Sequence, residues 1–414
     1  MTLEVLLLFA GLLVVAILVE PAARRLHLPF TAALIVVGFL GSEAYVTFIG
    51  DTGLRWYHFH DLVLHVFLPV LVFQSAFSLD ARTLLHNLPV VLYLAVPLMV
   101  VATLVTAALL YVGIGHPAGF PWISALVAGT LLSATDPVAV IALFQRLGAP
   151  ERLKVLLEGE SLFNDAAAIV LFSMFVAVAA GEGGEASGLG AGAVRFLVVF
   201  TGGLAAGAAV GLVATVLLRA AAGEIARVVL TLVTALFAFW LAEHRLEVSG
   251  VVAVLAAGLV TGEAYRRHCP RELAGDTWAL AAYVANALIF LLTGVTVTVA
   301  MFEDRWLAML IGIGAVIVAR GLLAFALLPP FTRLPGIRPV PLAERTVLFW
   351  GSLRGAVTLA LALALPLDVE AWYTIQSIAY GVALFTLFVQ APTMVLLLRR
   401  LAITEGVREH PSSA

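Results

Sequence analysis

Apolar runs of about twenty residues, the length that spans a hydrocarbon core of ~30 Å, recur from one end of this chain to the other. Short clusters of Arg, Lys, Asp, Glu, Gly and Pro separate them. None alternates apolar with polar residues at period two, so the runs predict helices rather than the strands of a barrel. Thirteen spans are expected, at approximately 3–19, 28–49, 62–78, 88–114, 120–144, 153–179, 192–218, 225–242, 248–264, 277–301, 306–329, 343–365 and 372–398. A Gly/Glu/Ser loop from Gly181 to Gly192 and a polar tail after Arg400 lie between and beyond them, and no soluble domain is expected. Because lipid offers the backbone no hydrogen bonds, helices are the form such runs can take.

Composition strengthens this picture. Hydrophobic residues make up 62% of the 414 and charged residues 12%, against about 45–50% and about 25% in soluble domains. The mean hydropathy is +1.08. The first apolar run lacks a basic leader and is followed directly by Glu20, Pro21, Arg24 and Arg25, so it is read as a span and not as a cleaved signal. Counting Lys and Arg by loop places seventeen on one side and four (Arg55, Arg195, Arg245, Arg305) on the other, with Arg320 and Arg354 inside spans. By the positive-inside rule the N-terminus is expected outside and the C-terminus in the cytoplasm. The single cysteine, Cys269, excludes an internal disulfide and a cysteine-based metal site. A net charge of −3 gives no sign of nucleic-acid binding. There is no Walker A or His-Glu-x-x-His string, so no cofactor and no enzymatic chemistry are expected.

The few ionisable residues inside spans carry the functional reading, since each is costly in lipid. The fifth span contains Ser133-Ala134-Thr135-Asp136-Pro137. Pro137 lacks a donor and clashes one turn back, and it pushes Asp136 out of helical geometry, so a break is expected near mid-membrane. Broken helices at that depth mark ion sites in secondary transporters. The plain alternative is a proline kink with a solvated carboxylate. The sixth span contains Glu158-Gly159-Glu160-Ser161-Leu162-Phe163-Asn164-Asp165. Glu158, Ser161 and Asp165 share one face, and Glu160 and Asn164 form a neighbouring row. Asp165 lies about 18 Å into its helix at 1.5 Å per residue. A buried carboxylate there can hold either a proton or a cation, and competition between the two is exchange. A structural polar network between helices is the alternative.

Arg320 and Arg354 need partners, because an unpaired buried guanidinium is very unfavourable. Glu160, pointing away from the Asp165 row, is the natural partner, and Arg320 is preferred over Arg354. Arg354 has snorkelling as its alternative. Gln74, polar within an apolar run, could offer its carbonyl to a cation or bond a neighbouring helix. His65 reads as a packed histidine, and Asn286 and Thr293 are weak signals.

Thr135-Asp136-Pro137, Gln145-Arg146-Leu147-Gly148, the string from Glu158 to Asp165, and Leu353-Arg354-Gly355-Ala356 together resemble family 1 of the monovalent cation/proton antiporters. That family holds the NhaP-type prokaryotic antiporters and the sodium/proton exchangers. The resemblance implies an all-α integral membrane protein of about thirteen helices in two inverted repeats, with broken crossing helices at spans 5 and 12. It implies a core bundle mainly over 62–179 and 277–398 and a dimerisation part mainly over 1–49 and 192–264, in a homodimer in the plasma membrane. Its ion site maps onto Asp136, Ser161 and Asp165, with a backbone oxygen of Thr135, for Na+ or alternatively K+ or Li+ in exchange for H+. Asn164 would bridge to Thr135, Glu160 with Arg320 would be a structural pair, and Glu158 would lie in the entry funnel. Asn before the essential Asp implies electroneutral exchange. Gln74 departs from the pattern, because relatives usually carry Glu there. A cation channel and a sensor that no longer transports are the competing readings. A channel would need a continuous polar stripe, and the polar residues cluster only at mid-depth.

Overall fold

The computed structural model describes residues 3–25, 28–48, 60–114, 119–181, 189–268 and 272–401. Cys269, Arg55, Arg271, residues 182–188 of the Gly/Glu/Ser loop and the tail beyond Leu401 lie outside the described residues. Among the described residues the regular structure is helical throughout. In chain order the helices are α1 (Leu3–Arg25), α2 (Phe30–Phe48), α3 (60–78) and α4 (81–113), then α5 in two halves (Trp122–Ser133 and Val138–Leu147) and α6 (Glu151–Ala179). They continue as α7 (Leu189–Ala220), α8 (Glu224–Arg245), α9 (Gly250–His268), α10 (Glu272–Thr296) and α11 (299–331). The last two are α12, again in two halves (Leu342–Trp350 and Ala356–Leu363), and α13 (372–400).

Ten of these are long and apolar enough to cross a membrane. The other three each have a physical reason to fall short. Helix α3 is brief, its apolar part covering Val63–Ser78. Helix α9 carries Glu263, Arg266 and Arg267 in its last turns, and α12 is interrupted.

Two boundaries differ from the expectation. Helix α4 starts at Ala81, before the apolar run expected from 88, because Asp80 caps it: its carboxylate accepts from the Arg82 N–H (3.1 Å) and the Thr83 hydroxyl (2.7 Å). The Thr83 hydroxyl in particular holds the Asp80 carboxyl below its ordinary value. The loop expected at 302–305 lies instead at 297–298. The polar turn Glu303-Asp304-Arg305 is carried inside α11, with the chain kinked at Arg305 (φ −127°, ψ 15°).

Proline shapes the long helices. The π-helical turns at 63–67, 322–327 and 386–390 each end two residues before a proline, Pro69, Pro329 or Pro392. A fourth, at 94–98, contains Pro97. Each proline removes a donor from the i→i−4 ladder, and the turn before it widens to i→i−5, as where the Leu68 N–H bonds the Val63 carbonyl.

The second half of α12 sits at the centre. Every residue from Leu359 to Leu365 is 0% exposed, so this half-helix has no lipid face. Away from it, Ala206, Val210, Ala238, Ala242, Ala253 and Ala257 form a separate small-residue cluster on α7, α8 and α9. Helices α7 and α9 approach so closely that a Cβ on Gly207 would run into the Ala253 backbone.

Candidate ion-binding site

The site is built from the two chain breaks. Residues 134–137 of α5 and 351–355 of α12 are non-helical, and they meet directly: the Asp136 N–H donates to the Leu353 carbonyl at 2.8 Å. Breaking a helix strands the last carbonyls of its first half. In α5 four consecutive carbonyls each receive a side-chain donor. Leu132 O accepts from Arg354 Nε (2.5 Å), Ser133 O from Asn164 Nδ2 (2.9 Å), Ala134 O from the Thr358 hydroxyl (3.4 Å) and Thr135 O from the Ser161 hydroxyl (2.5 Å). The donors come from α6 and α12, so the break is over-determined by its neighbours. Asn164 also reaches the Thr135 hydroxyl at 3.4 Å.

The other halves contribute their N-termini. Asp136 Oδ1 accepts from the Val138 N–H (2.9 Å), the first residue of the second half of α5. Its Oδ2 accepts from the Ala356 N–H (3.4 Å), the first residue of the second half of α12. One carboxylate thus faces two helix N-termini, whose dipoles favour negative charge. Gly355 makes this possible, because a Cβ there would overlap the Asp136 carboxylate.

A cavity of about 580 Å³ opens onto these groups. Asp136, Ser161, Asp165, Glu158 and Gln74 line it, and so does Asn286 from α10. Asp165 lies close enough to Asp136 for the two charges to interact. Its Oδ1 has no hydrogen-bond partner among the described residues, an unmet acceptor beside open volume. Two carboxylates and a hydroxyl form a hard oxygen set of the kind that suits alkali and alkaline-earth cations rather than softer metals, while Thr135, whose carbonyl accepts from Ser161, does not itself line the cavity. Glu158 stands one turn before Ser161's level on the same face, nearer the mouth, where Asp80, Glu151 and Lys154 also line the cavity.

Glu160 faces the other way. Its Oε1 accepts from Arg320 at 2.6 Å, with both side chains buried, and Arg320 also reaches the Leu348 carbonyl. Arg354 does not snorkel. It is 2% exposed and held by the Leu132 and Ser352 carbonyls. Gln74 lines the cavity, with its amide nitrogen bonded to Ser78 of its own helix at 3.3 Å rather than to another helix.

Comparison with known proteins fits this geometry. The family model described as "Sodium/hydrogen exchanger, transmembrane" matches residues 10–400. The chain belongs to this family of transporters. Among its relatives are the Na(+)/H(+) antiporter ApNhaP of Aphanothece halophytica, 32% identical over 91% of this chain and 70% of that protein. The low-affinity Na(+)/H(+) antiporter NhaS1 of Synechocystis sp. is 34% identical over 92% of this chain and 71% of its own length. The antiporter NhaP of Pseudomonas aeruginosa is 34% identical over 84% and 83%. In fold the chain is similar to the sodium proton antiporter MjNhaP1 of Methanocaldococcus jannaschii at pH 8, with a TM-score of 0.80 at 18% identity over 95% and 97% of the two chains.

Within this exchanger, sequence reasoning passed over Thr358 and the backbone of Leu132, Leu353 and Ala356. Thr358 was within reach, since it is polar in an apolar run in the first turn after the break in α12. The backbone partners carry no signal in residue type.

Proposed function

We propose that the chain is a secondary active antiporter that exchanges Na+ for H+ across the membrane by alternating access, electroneutrally and one for one. The observation that carries this reading is that Asp136 and Asp165 face a single cavity at the crossing of two broken helices. A buried carboxylate is stabilised either by a proton or by a cation, so the two compete for one place. The relatives' names support Na+ as the cation; K+ and Li+ are the alternatives to be tested.

The proposal extends to the finer assignments. Asp165 is the shared proton and cation carboxylate, with Asp136, Ser161 and the Thr135 carbonyl as companions. Asn164 holds the break and adds no charge, which supports electroneutrality. Gln74 tunes the site's negative charge, and Glu158 draws cations into the funnel. The cavity mouth lies at the end bearing Asp80, Glu151 and Lys154. The Lys/Arg distribution makes that end cytoplasmic, with the N-terminus outside, so the cavity opens inward. The protein works as a homodimer of thirteen-span protomers in the plasma membrane. The core bundle lies mainly over 62–179 and 277–398, and the dimerisation part mainly over 1–49 and 192–264.

The test is exchange in proteoliposomes with an internal pH dye and a panel of Na+, Li+ and K+. Dissipation of an imposed pH gradient on adding Na+ is expected. Failure of every cation to do so, or equal dissipation without any cation, contradicts the reading.

A further inference from the structure

The second half of α12, whose N-terminus faces Asp136, is only eight residues long (Ala356–Leu363). A helix that short is not stable alone, so its place is set by what holds it. Two side chains of α13 tie it, one near each end. At the break, Thr386 Oγ1 accepts from the Arg354 N–H at 3.1 Å. At the far end, Gln376 Nε2 donates to the Ala362 carbonyl at 3.1 Å. That carbonyl is one of the last four, which a helix leaves without an internal partner. Thr386, Arg354 and Gln376 are all buried. Neither Thr386 nor Gln376 lines the cavity.

The Thr386 bond lands inside the stretch that holds Asp136. The Leu353 carbonyl accepts from the Asp136 N–H, and the Ala356 N–H donates to Asp136 Oδ2. Arg354 lies between these two residues in the chain, and its side chain caps the first half of α5. A shift at Arg354 therefore moves both backbone groups that meet Asp136. The hydroxyl of Thr386 is itself fixed. It donates to the Ala383 carbonyl at 2.9 Å, which leaves its lone pairs for the Arg354 N–H. Back-bonding of that kind accounts by itself for a buried threonine in a helix. It does not account for the second bond, which crosses to another helix. Thr386 is also the first residue of the π turn 386–390, a departure from α geometry that is frequent at functional sites.

We infer that Thr386 is a positioning residue of the ion site, with Gln376 as its counterpart: together they hold the second half of α12 on α13 so that its N-terminus meets Asp136. The inference rests on the exchange reading and adds to it two residues outside the cavity. Loss of either tie lets the half-helix drift from Asp136. The cation then meets a less well placed carboxylate, so the effect falls first on Na+ affinity.

The test compares Thr386→Val, which keeps the shape and loses the hydroxyl, with Thr386→Ser, which keeps the hydroxyl, each in the full chain in proteoliposomes. Thr386→Val should raise the Na+ concentration for half-maximal exchange about three- to tenfold, the scale of one neutral hydrogen bond. The rate at saturating Na+ should change less, and Thr386→Ser should return the Na+ requirement to that of the parent. Purified protein supplies a readout without transport. Thr386→Val should need more Na+, by the same factor, to reach the rise in melting temperature that Na+ gives the parent over choline. A threonine that only satisfies a helix would lower the melting temperature in choline and leave the Na+ requirement unchanged, and that result overturns the inference. Thr386→Ser behaving as Thr386→Val does also overturns it. If Thr386→Val does not fold, Gln376→Met carries the test: a raised Na+ requirement is expected, and an unchanged one contradicts the inference. Absence of both exchange and Na+ stabilisation in the parent is a separate result and strikes the antiporter reading itself.

Discussion

Arg354 Nε donates to the carbonyl of Leu132 at 2.5 Å, so a guanidinium from the break in α12 caps the first half of α5. A helix C-terminus carries partial negative charge, and a cation placed there is stabilising. This accounts for a buried arginine with no hydrogen-bonded carboxylate among the described residues: its partners are the backbone oxygens left by the breaks. Arg354→Gln removes the charge and leaves Leu132 O unsatisfied, a loss of about 1.5–3 kcal/mol for a charge-assisted bond. Purified Arg354→Gln should melt at lower temperature than the parent. Equal melting would mean that the cap does not hold the crossing together.

Gly355 gives a sharper test of the crossing. An added methyl would overlap the Asp136 carboxylate, and overpacking of this kind costs about 1–3 kcal/mol. Gly355→Ala should abolish exchange by displacing Asp136, while a control at the open Gly314, Gly314→Ala, should not. Normal exchange by Gly355→Ala would show that the position of Asp136 is not critical.

Glu160 and Arg320 should behave as one unit. Removing either partner leaves the other charge buried and alone, at about 3–5 kcal/mol. Glu160→Gln and Arg320→Gln should each lower the melting temperature more than the double replacement does. Simple addition of the two single effects would show that the ion pair contributes no coupling.

How much of this was legible in the sequence follows from what each feature depends on. The break in α5 was readable because Pro137 forbids the helix locally. Helix-face geometry singled out Glu160 as an arginine's partner, and the family resemblance gave Arg320 as that arginine, yet Arg354's role was not legible, because its partners are carbonyls and every residue has one. The start of α4 was missed because its first turns, with Arg82, His86 and Asn87, are polar, so hydropathy saw only the later run. The junction of α10 and α11 was misplaced for the converse reason: Glu303, Asp304 and Arg305 look like a loop but ride on a kinked helix. The close approach of α7 to α9 at Gly207 and Ala253 depends on tertiary packing, which residue type alone does not fix.

Gln74 and Asn164 bear on affinity and coupling. With Gln74 neutral, the cavity carries less negative charge than with Glu there, so Gln74→Glu should lower the Na+ concentration needed for half-maximal exchange. An unchanged dependence would place residue 74 outside the site. With one Na+ traded for one H+, no net charge crosses, and transport should ignore a potential that would act on a moved charge with about 2.3 kcal/mol per 100 mV. Potentials clamped with valinomycin in proteoliposomes check this, and acceleration by an imposed potential would contradict the role given to Asn164.

The central claim is that one carboxylate, Asp165, is contested by Na+ and H+. Uptake of radiolabelled Na+ into acid-loaded proteoliposomes, measured over a range of external pH for the parent and for Asp165→Asn, tests it most directly. Protons should compete with Na+, so lowering the external pH should raise the Na+ concentration for half-maximal uptake without lowering the rate at saturating Na+. Asp165→Asn keeps the shape, removes the exchangeable charge and should take up no Na+ above protein-free vesicles. Near-normal, pH-dependent uptake by Asp165→Asn would contradict the account.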